Sequence, residues 1–226
     1  MKKIVGSALF IIQSCFIGQA LAQPPVPLTV KITGISEGTP IPSKFAYCTA
    51  DDKGRTKNGD NISPAIAWSG APAQTKSYAL IVVDPDVPAN FDTANKPDKI
   101  IPMNFARQNF YHWVLINIPT QVTGIFEGKN SSGVTAGGKP VGRTSYGTNG
   151  INGYGFGGYD GPCPPWNDER LHHYHFIVYA LDVASLNLPD PVNGSLAKSA
   201  MTGHILAQGE VMGTYTTNPT GVRPGQ

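Results

Sequence analysis

The chain has 226 residues, with 17 Lys and Arg against 15 Asp and Glu, a formal net charge of +2. That near balance leaves no basic stripe for nucleic acid, while the length allows one sizeable domain with its own core. Gly (26) and Pro (20) are abundant and helix-period patterns scarce, which points to strands joined by rigid turns.

Residues 1–22 read as a secretory signal peptide. Lys2-Lys3 supplies the positive start, Ile4 to Ile17 the apolar core, and Ala20-Leu21-Ala22 a small-x-small cleavage site before Gln23. The run is short for a membrane span, and no later run is long enough for one. A lipoprotein signal on Cys15 is the rival reading; Gln13 fits it badly and the Ala-x-Ala site is cleaner. Cleavage removes two lysines and no acid, so +2 becomes 0. Residues 23–226 are then one domain, expected in the periplasm or the extracellular space.

Leu28 to Ile35 alternates as a strand. Gly34-Ile-Ser36-Glu-Gly38 fits the G-x-S-x-G pattern of serine hydrolases, but Pro40 and Pro42 follow at once. No helix can start there, so the segment reads as a turn. Tyr78–Val83, His112–Ile118 and Tyr174–Leu181 are nearly continuous apolar runs of strand length, as expected for strands covered on both faces. Between them lie two long connections, Ala89 to Phe110 and the Gly-rich Glu127 to Arg170; loops of that length are usually functional. Gly153–Gly158 contains G-x-G-x-x-G without the strand and helix a dinucleotide site needs. Leu196 to Ala207 reads as the one good helix, with Leu196, Ala200, Ile205 and Leu206 inward. A strand from Glu210 to Tyr215 and a loose tail, Thr216–Gln226, complete the chain.

Cys48 and Cys163 are the cysteines left after cleavage. In an oxidising compartment they invite a disulfide, with two separately buried thiols as the alternative; the bridge is favoured. His172, His173 and His175 alternate between strand faces, so three metal ligands are not available on one side, and no H-E-x-x-H occurs. Neither a metal nor a cofactor is expected.

What remains is a set of polar side chains at the ends of apolar strands. Asp84, His112, His172 and Tyr174 would ring one cavity, walled by Pro88, Trp113, Pro162 and Pro164, with Gly161 letting backbone approach a ligand. Imidazole and phenol donors suit phosphate or carboxylate oxygens. Asp84 beside a histidine favours the imidazolium. Asp86 is balanced between a ligand contact and plain Asp-Pro turn chemistry.

Asp84-Pro85-Asp86-Val87-Pro88, His112-Trp113, Gly161-Pro162-Cys163-Pro164-Pro165 and His172-x-Tyr174 resemble the signatures of the phosphatidylethanolamine-binding protein family, above all its bacterial Raf-kinase-inhibitor-like branch. Asn61-Ile-Ser-Pro64 before Trp68, Ala180-Leu-Asp182 and Gly203-His-Ile-Leu206 extend the resemblance over nearly the whole chain after the signal peptide. It implies a mainly β, large antiparallel β-sandwich-like fold with a few peripheral helices and a small anion pocket. The family's pocket residues map onto Asp84, Asp86, His112, Pro162 or Pro164, His172 and Tyr174. The connections after Pro88 and after Ile118 are longer than the family's usual ones.

Three readings follow. First is a non-enzymatic protein binding a small anion, phosphate or a phosphomonoester such as a phosphoethanolamine head group. Second is an interaction module that inhibits a protease or kinase partner through the enlarged loops. Last is a hydrolase using Asp84 and His112 as an acid/base pair or Cys163 as nucleophile. Monomer and homodimer are both open.

Overall fold

A computed structural model describes residues 26–131 and 140–220. The proposed signal peptide and the end of the tail lie outside the described residues. Among these, the strands are β1 (Val26–Pro27), β2 (Thr29–Ile32), β3 (Thr39–Pro40), β4 (Cys48–Ala50), β5 (Thr56–Asn58), β6 (Ile66–Ser69) and β7 (Ser77–Pro88). There follow β8 (Arg107–Pro119), β9 (Gly124–Ile125), β10 (Gly142–Arg143), β11 (Thr148–Asn149), β12 (His172–Leu181) and β13 (Ile205–Tyr215). One α-helix, α1 (Gly194–Met201), and a 3-10 turn at Ser43–Phe45 stand beside them.

The main sheet runs β1-β13-β12-β7-β8-β11-β10, with β3 also on β13; β2-β6-β9 form a second sheet and β4-β5 a hairpin. Pairing is antiparallel except where β1 and β3 join β13. The three apolar runs are the central strands β12, β7 and β8, and their two faces bury different layers. Leu80, Val82, Trp113, Leu115, Phe176 and Val178 pack with Ile32, Ile66, Trp68 and Ile125 of the smaller sheet. Ile81, Val83, Val114, Ile116 and Tyr179 pack with Leu186, Val192, Ala197 and Met201 around α1. Both faces are covered, which is why the runs lack polar alternation. The fold is mainly β and sandwich-like.

The late helix is shorter than its apolar pattern predicts. Asn193 caps it, Oδ1 accepting from Leu196 N–H at 2.9 Å. Gly203 then adopts φ +83 and ends the turn, so Ile205–Ala207 belong to β13. Leu196 is exposed, and Ala197 and Met201 face inward instead. The start of the tail is docked rather than loose: Thr217 is buried and its Oγ1 donates to Pro164 O at 2.8 Å, and Asn218 Nδ2 donates to Asp168 O at 2.8 Å.

Two register shifts in the β7–β8 ladder decide what faces the pocket. Val82 pairs with Trp113 and Val83 with Tyr111, so His112 is the extra residue of a bulge. Asp84 pairs with Phe110 and Val87 with Gln108, which leaves Pro85 and Asp86 opposite a single residue; Pro85 has no N–H to give the ladder. Bulges re-aim side chains beside binding sites. Here the first lets Trp113 enter the core while His112 joins Asp84 at the cavity, with Tyr111 packed on the opposite layer.

Candidate functional site

A cavity of about 200 Å³ opens at the end of the sandwich, floored by Asp84, His112, His172 and Tyr174. Phe110, Tyr154 and Phe91 add aromatic walls, and Val87, Asn95 and the Cys163-Pro164-Pro165 stretch complete it. The four floor residues come from three adjacent strands, β12, β7 and β8.

His172 is fully buried between two carboxylates. Its Nδ1–H donates to Asp84 Oδ2 at 2.7 Å and its Nε2–H to Asp168 Oδ2 at 3.2 Å. With both nitrogens donating, the ring is an imidazolium. Burial alone would lower its pKa, but the charges and hydrogen bonds of Asp84 and Asp168 outweigh that and push it up to about 9. Asp168 in turn takes a bidentate pair from Arg107, at 2.5 and 2.9 Å. Against its own desolvation, these bonds from His172 and Arg107 hold its carboxyl below the usual value.

His112 is held differently. Its Nδ1 lies 2.7 Å from the Asp160 carbonyl, which only an N–H can satisfy. Nε2, the lone-pair nitrogen when the ring is neutral, is buried and has no hydrogen-bond partner among the described residues. Desolvation lowers the pKa of this ring despite the nearby carboxylates of Asp84 and Asp160, so His112 is neutral at pH 7. The sequence suggests donors at both His112 and His172, with Asp84 favouring the imidazolium of whichever histidine lies beside it. The structure instead makes His172 the cation and His112 an acceptor. Burial, then carboxylate neighbours, raise both Tyr154 and Tyr174 far above the ordinary phenol value, so both keep their hydroxyl protons.

Several expected wall residues stand elsewhere. Asp86 is turned by the second bulge to the other side, where Oδ2 accepts from His173 N–H and Nδ1 and Oδ1 from Arg170. Trp113 is fully buried in the core, its ring 5.6 Å from that of Tyr159. Pro88 closes β7 without reaching the cavity, its carbonyl accepting from Gln108 Nε2. Gly161 makes a close approach to the chain itself: an added Cβ would lie 2.0 Å from Phe45 O. Its N–H is spent on Asn61 Oδ1 at 2.8 Å, so it forms no anion nest. Pro162 sits behind the wall, its carbonyl accepting from Cys48 N–H, and Pro164 is the proline that reaches the cavity.

Cys48 and Cys163 are joined in a disulfide with Cα atoms 4.6 Å apart, which fixes the proline-rich wall to β4 and leaves Cys163 no thiolate.

Sequence reasoning missed Phe91, Asn95, Tyr154 and Asp168. Phe91 and Asn95 ride on the long connection after Pro88, and Asn167 bolts that connection in place. Its Nδ2 donates to Thr93 O at 2.8 Å and Lys99 O at 2.9 Å, and its Oδ1 accepts from Asn95 N–H at 2.8 Å. Arg107 adds bonds to the carbonyls of Pro102 and Phe105. The available signal was the polar run Asn167–Arg170 just before His172.

Residues 31–216 match the family model described as phosphatidylethanolamine-binding protein. The chain belongs to that family. As a phosphatidylethanolamine-binding protein (PEBP) relative it has several similar proteins. It is 35% identical over 170 residues to a UPF0098 protein of Methanothermobacter thermautotrophicus, covering 73% of this chain and 93% of that one. With YbcL of Escherichia coli it shares 32% over 158 residues, or 70% of this chain and 73% of that one. The crystal structure of YbcL, described as a new member of the mammalian PEBP family, superposes with a TM-score of 0.64 at 26% identity, covering 84% of this chain and 99% of YbcL. A PEBP homologue from Chlamydia trachomatis matches with a TM-score of 0.58 at 32% identity, covering 84% of this chain and 97% of that one.

Proposed function

We propose that this chain is a non-enzymatic binding protein whose pocket takes a small phosphate- or carboxylate-bearing group, such as a phosphoethanolamine head group. The observation that carries this reading is the composition of the cavity floor. A carboxylate, a buried acceptor nitrogen and phenolic hydroxyls converge on about 200 Å³, below the roughly 300–1,000 Å³ of drug-sized pockets. Such a space takes a head group, with the rest of the ligand emerging past Phe91. Against a hydrolase, the Cys163 sulfur is bonded, the phenols hold their protons, and the His172 proton is fixed between two carboxylates.

The protein is exported in this reading, with cleavage before Gln23; a disulfide beside the pocket suits an oxidising compartment. Amino-terminal sequencing of the secreted or periplasmic protein tests that part.

The binding test is phosphate titration followed by NMR. Saturable shifts at Tyr154, Tyr174 and His112 are expected; no shifts there at millimolar phosphate overturn the reading. A second reading, a protein-interaction module, draws on the exposed apolar side chains Phe91, Ile100 and Met103 of the long connection. Retention of a partner that survives replacement of all three by Ser would refute it.

A further inference from the structure

The proposed oxyanion site has an unexpected balance of donors and acceptors. Both nitrogens of His172, the cation at the floor, are used internally by Asp84 and Asp168. Asp84 Oδ2 accepts from that ring, Oδ1 accepts from Asp86 N–H at 2.7 Å, and the carboxylate also accepts from the Tyr174 hydroxyl; four lone-pair sites leave it acceptor capacity toward the cavity that it lines. His112 presents a buried Nε2 with no hydrogen-bond partner among the described residues.

The groups facing the His112 ring are Asp84 from β7, His172 and Tyr174 from β12, and Asp160 and Tyr154 from the segment after β11. Of these, Asp84 lines the cavity as an acceptor and takes the Tyr174 hydroxyl proton in a hydrogen bond, while Tyr154 offers a hydroxyl donor. Asp160 takes the Nδ1–H through its carbonyl, and its carboxylate accepts from Asn61 at 2.8 Å and Asn152 at 2.6 Å. A fully deprotonated oxyanion would therefore set its lone pairs against a carboxylate and an imidazole lone pair. Burying such a mismatch is costly.

We infer that the pocket selects an oxyanion that brings its own proton. Hydrogen phosphate, the acid form of a phosphomonoester and a protonated carboxyl fit; sulfate and sulfate esters do not. The ligand O–H donates to His112 Nε2 or Asp84, and its remaining oxygens accept from the Tyr154 hydroxyl. A site built to bond a hydroxyl rejects the analogue lacking it, because its own polar groups are then left unpaired.

This inference rests on the oxyanion reading above, and calorimetry separates their failures. Methyl phosphate as its monoanion and methyl sulfate share charge and shape and differ by one proton. Wild-type protein at pH 5.5 is expected to bind methyl phosphate at least about tenfold more tightly than methyl sulfate. At pH 7.5, titrations in buffers of different ionisation enthalpy should show uptake of about one proton per ligand bound, since the second phosphate pKa is about 6. His112→Phe, which keeps a ring but removes the acceptor, should narrow the preference; if it does not fold, the wild-type comparison still decides.

Equal affinity for the two esters would overturn the inference, because it would put the proton on His112 and leave the ligand bare. Binding of methyl phosphate without proton uptake would also overturn it. Failure of both esters to bind at either pH would instead refute the oxyanion reading beneath it.

Discussion

Asp84 Oδ2 and His172 Nδ1 lie 2.7 Å apart with both side chains essentially inaccessible to solvent. The pair ties β7 to β12 at the edge of the pocket, and Asp168 and Arg107 extend it to a chain of four charges. Asp84→Asn keeps the shape and removes one countercharge from a buried imidazolium. Breaking a buried pair on one side costs roughly 3–5 kcal/mol. Urea unfolding should show a loss of that order, and a loss below about 1 kcal/mol would mean that Asp168 alone neutralises the ring.

The two pocket histidines give stability opposite slopes with pH. His172 has its folded pKa raised, so its contribution is complete below about 6.5 and is lost as pH rises through about 9. The shift corresponds to about 3 kcal/mol. His112 has its folded pKa lowered, so the unfolded chain takes that proton more readily and stability falls as pH drops below about 6.5. Asp86 and Asp168, both lowered, give stability present above about 3.9 and lost as pH falls through their folded values. Melting temperature should therefore peak near neutrality. In Asp84→Asn the decline between about pH 6.5 and 9 should be reduced.

Nitrogen NMR should distinguish the two rings directly. At pH 7.5 His172 is expected with both nitrogens protonated, and His112 with a proton on Nδ1 alone. A His112 ring protonated on Nε2 alone would contradict the 2.7 Å bond to the Asp160 carbonyl.

Gly161→Ala should destabilise without touching the cavity floor. The new methyl would meet the Phe45 carbonyl at 2.0 Å and the Tyr159 hydroxyl oxygen at 2.9 Å, and the first contact is backbone that cannot swing away. Strain of this kind belongs to the overpacking class, about 1–3 kcal/mol or more. Thermal unfolding of the variant checks it, with Gly155→Ala as a poor control, because φ +88 strains that position on its own. Leu196→Ala, at an exposed helix position, is the better one.

Asn167→Ala should free the long connection from its anchor. Two carbonyls, Thr93 and Lys99, lose close amide donors, and Asn95 N–H loses its acceptor. At about 1 kcal/mol per bond, amide exchange across residues 89–106 should accelerate at least tenfold while β7 and β12 remain protected. Uniform acceleration would show that the anchor supports the whole sandwich.

Much of this architecture is legible in the sequence because apolar runs of strand length, such as Tyr78–Val83 and Tyr174–Leu181, have only one use in a Gly- and Pro-rich chain. His172 and Tyr174 fall on one side by simple alternation. The late helix was overextended because Ile205 and Leu206 continue an apolar pattern that the turn at Gly203 interrupts. Trp113 and Asp86 were misplaced for a different reason. A bulge leaves no periodic mark, so alternation predicts the wrong side for every residue beyond it. Tyr154 was hidden among glycines, and the role of Asn167 depends on carbonyls about seventy residues away.

The extra residue opposite the Val82–Val83 step means that the site depends on a count as well as on side-chain identities. Deleting Tyr111 would close this bulge, pair His112 with Val83 and point its imidazole into the layer beneath α1. Grafting this pocket onto another sandwich would therefore require copying the irregular spacing of the strand before choosing any of its side chains.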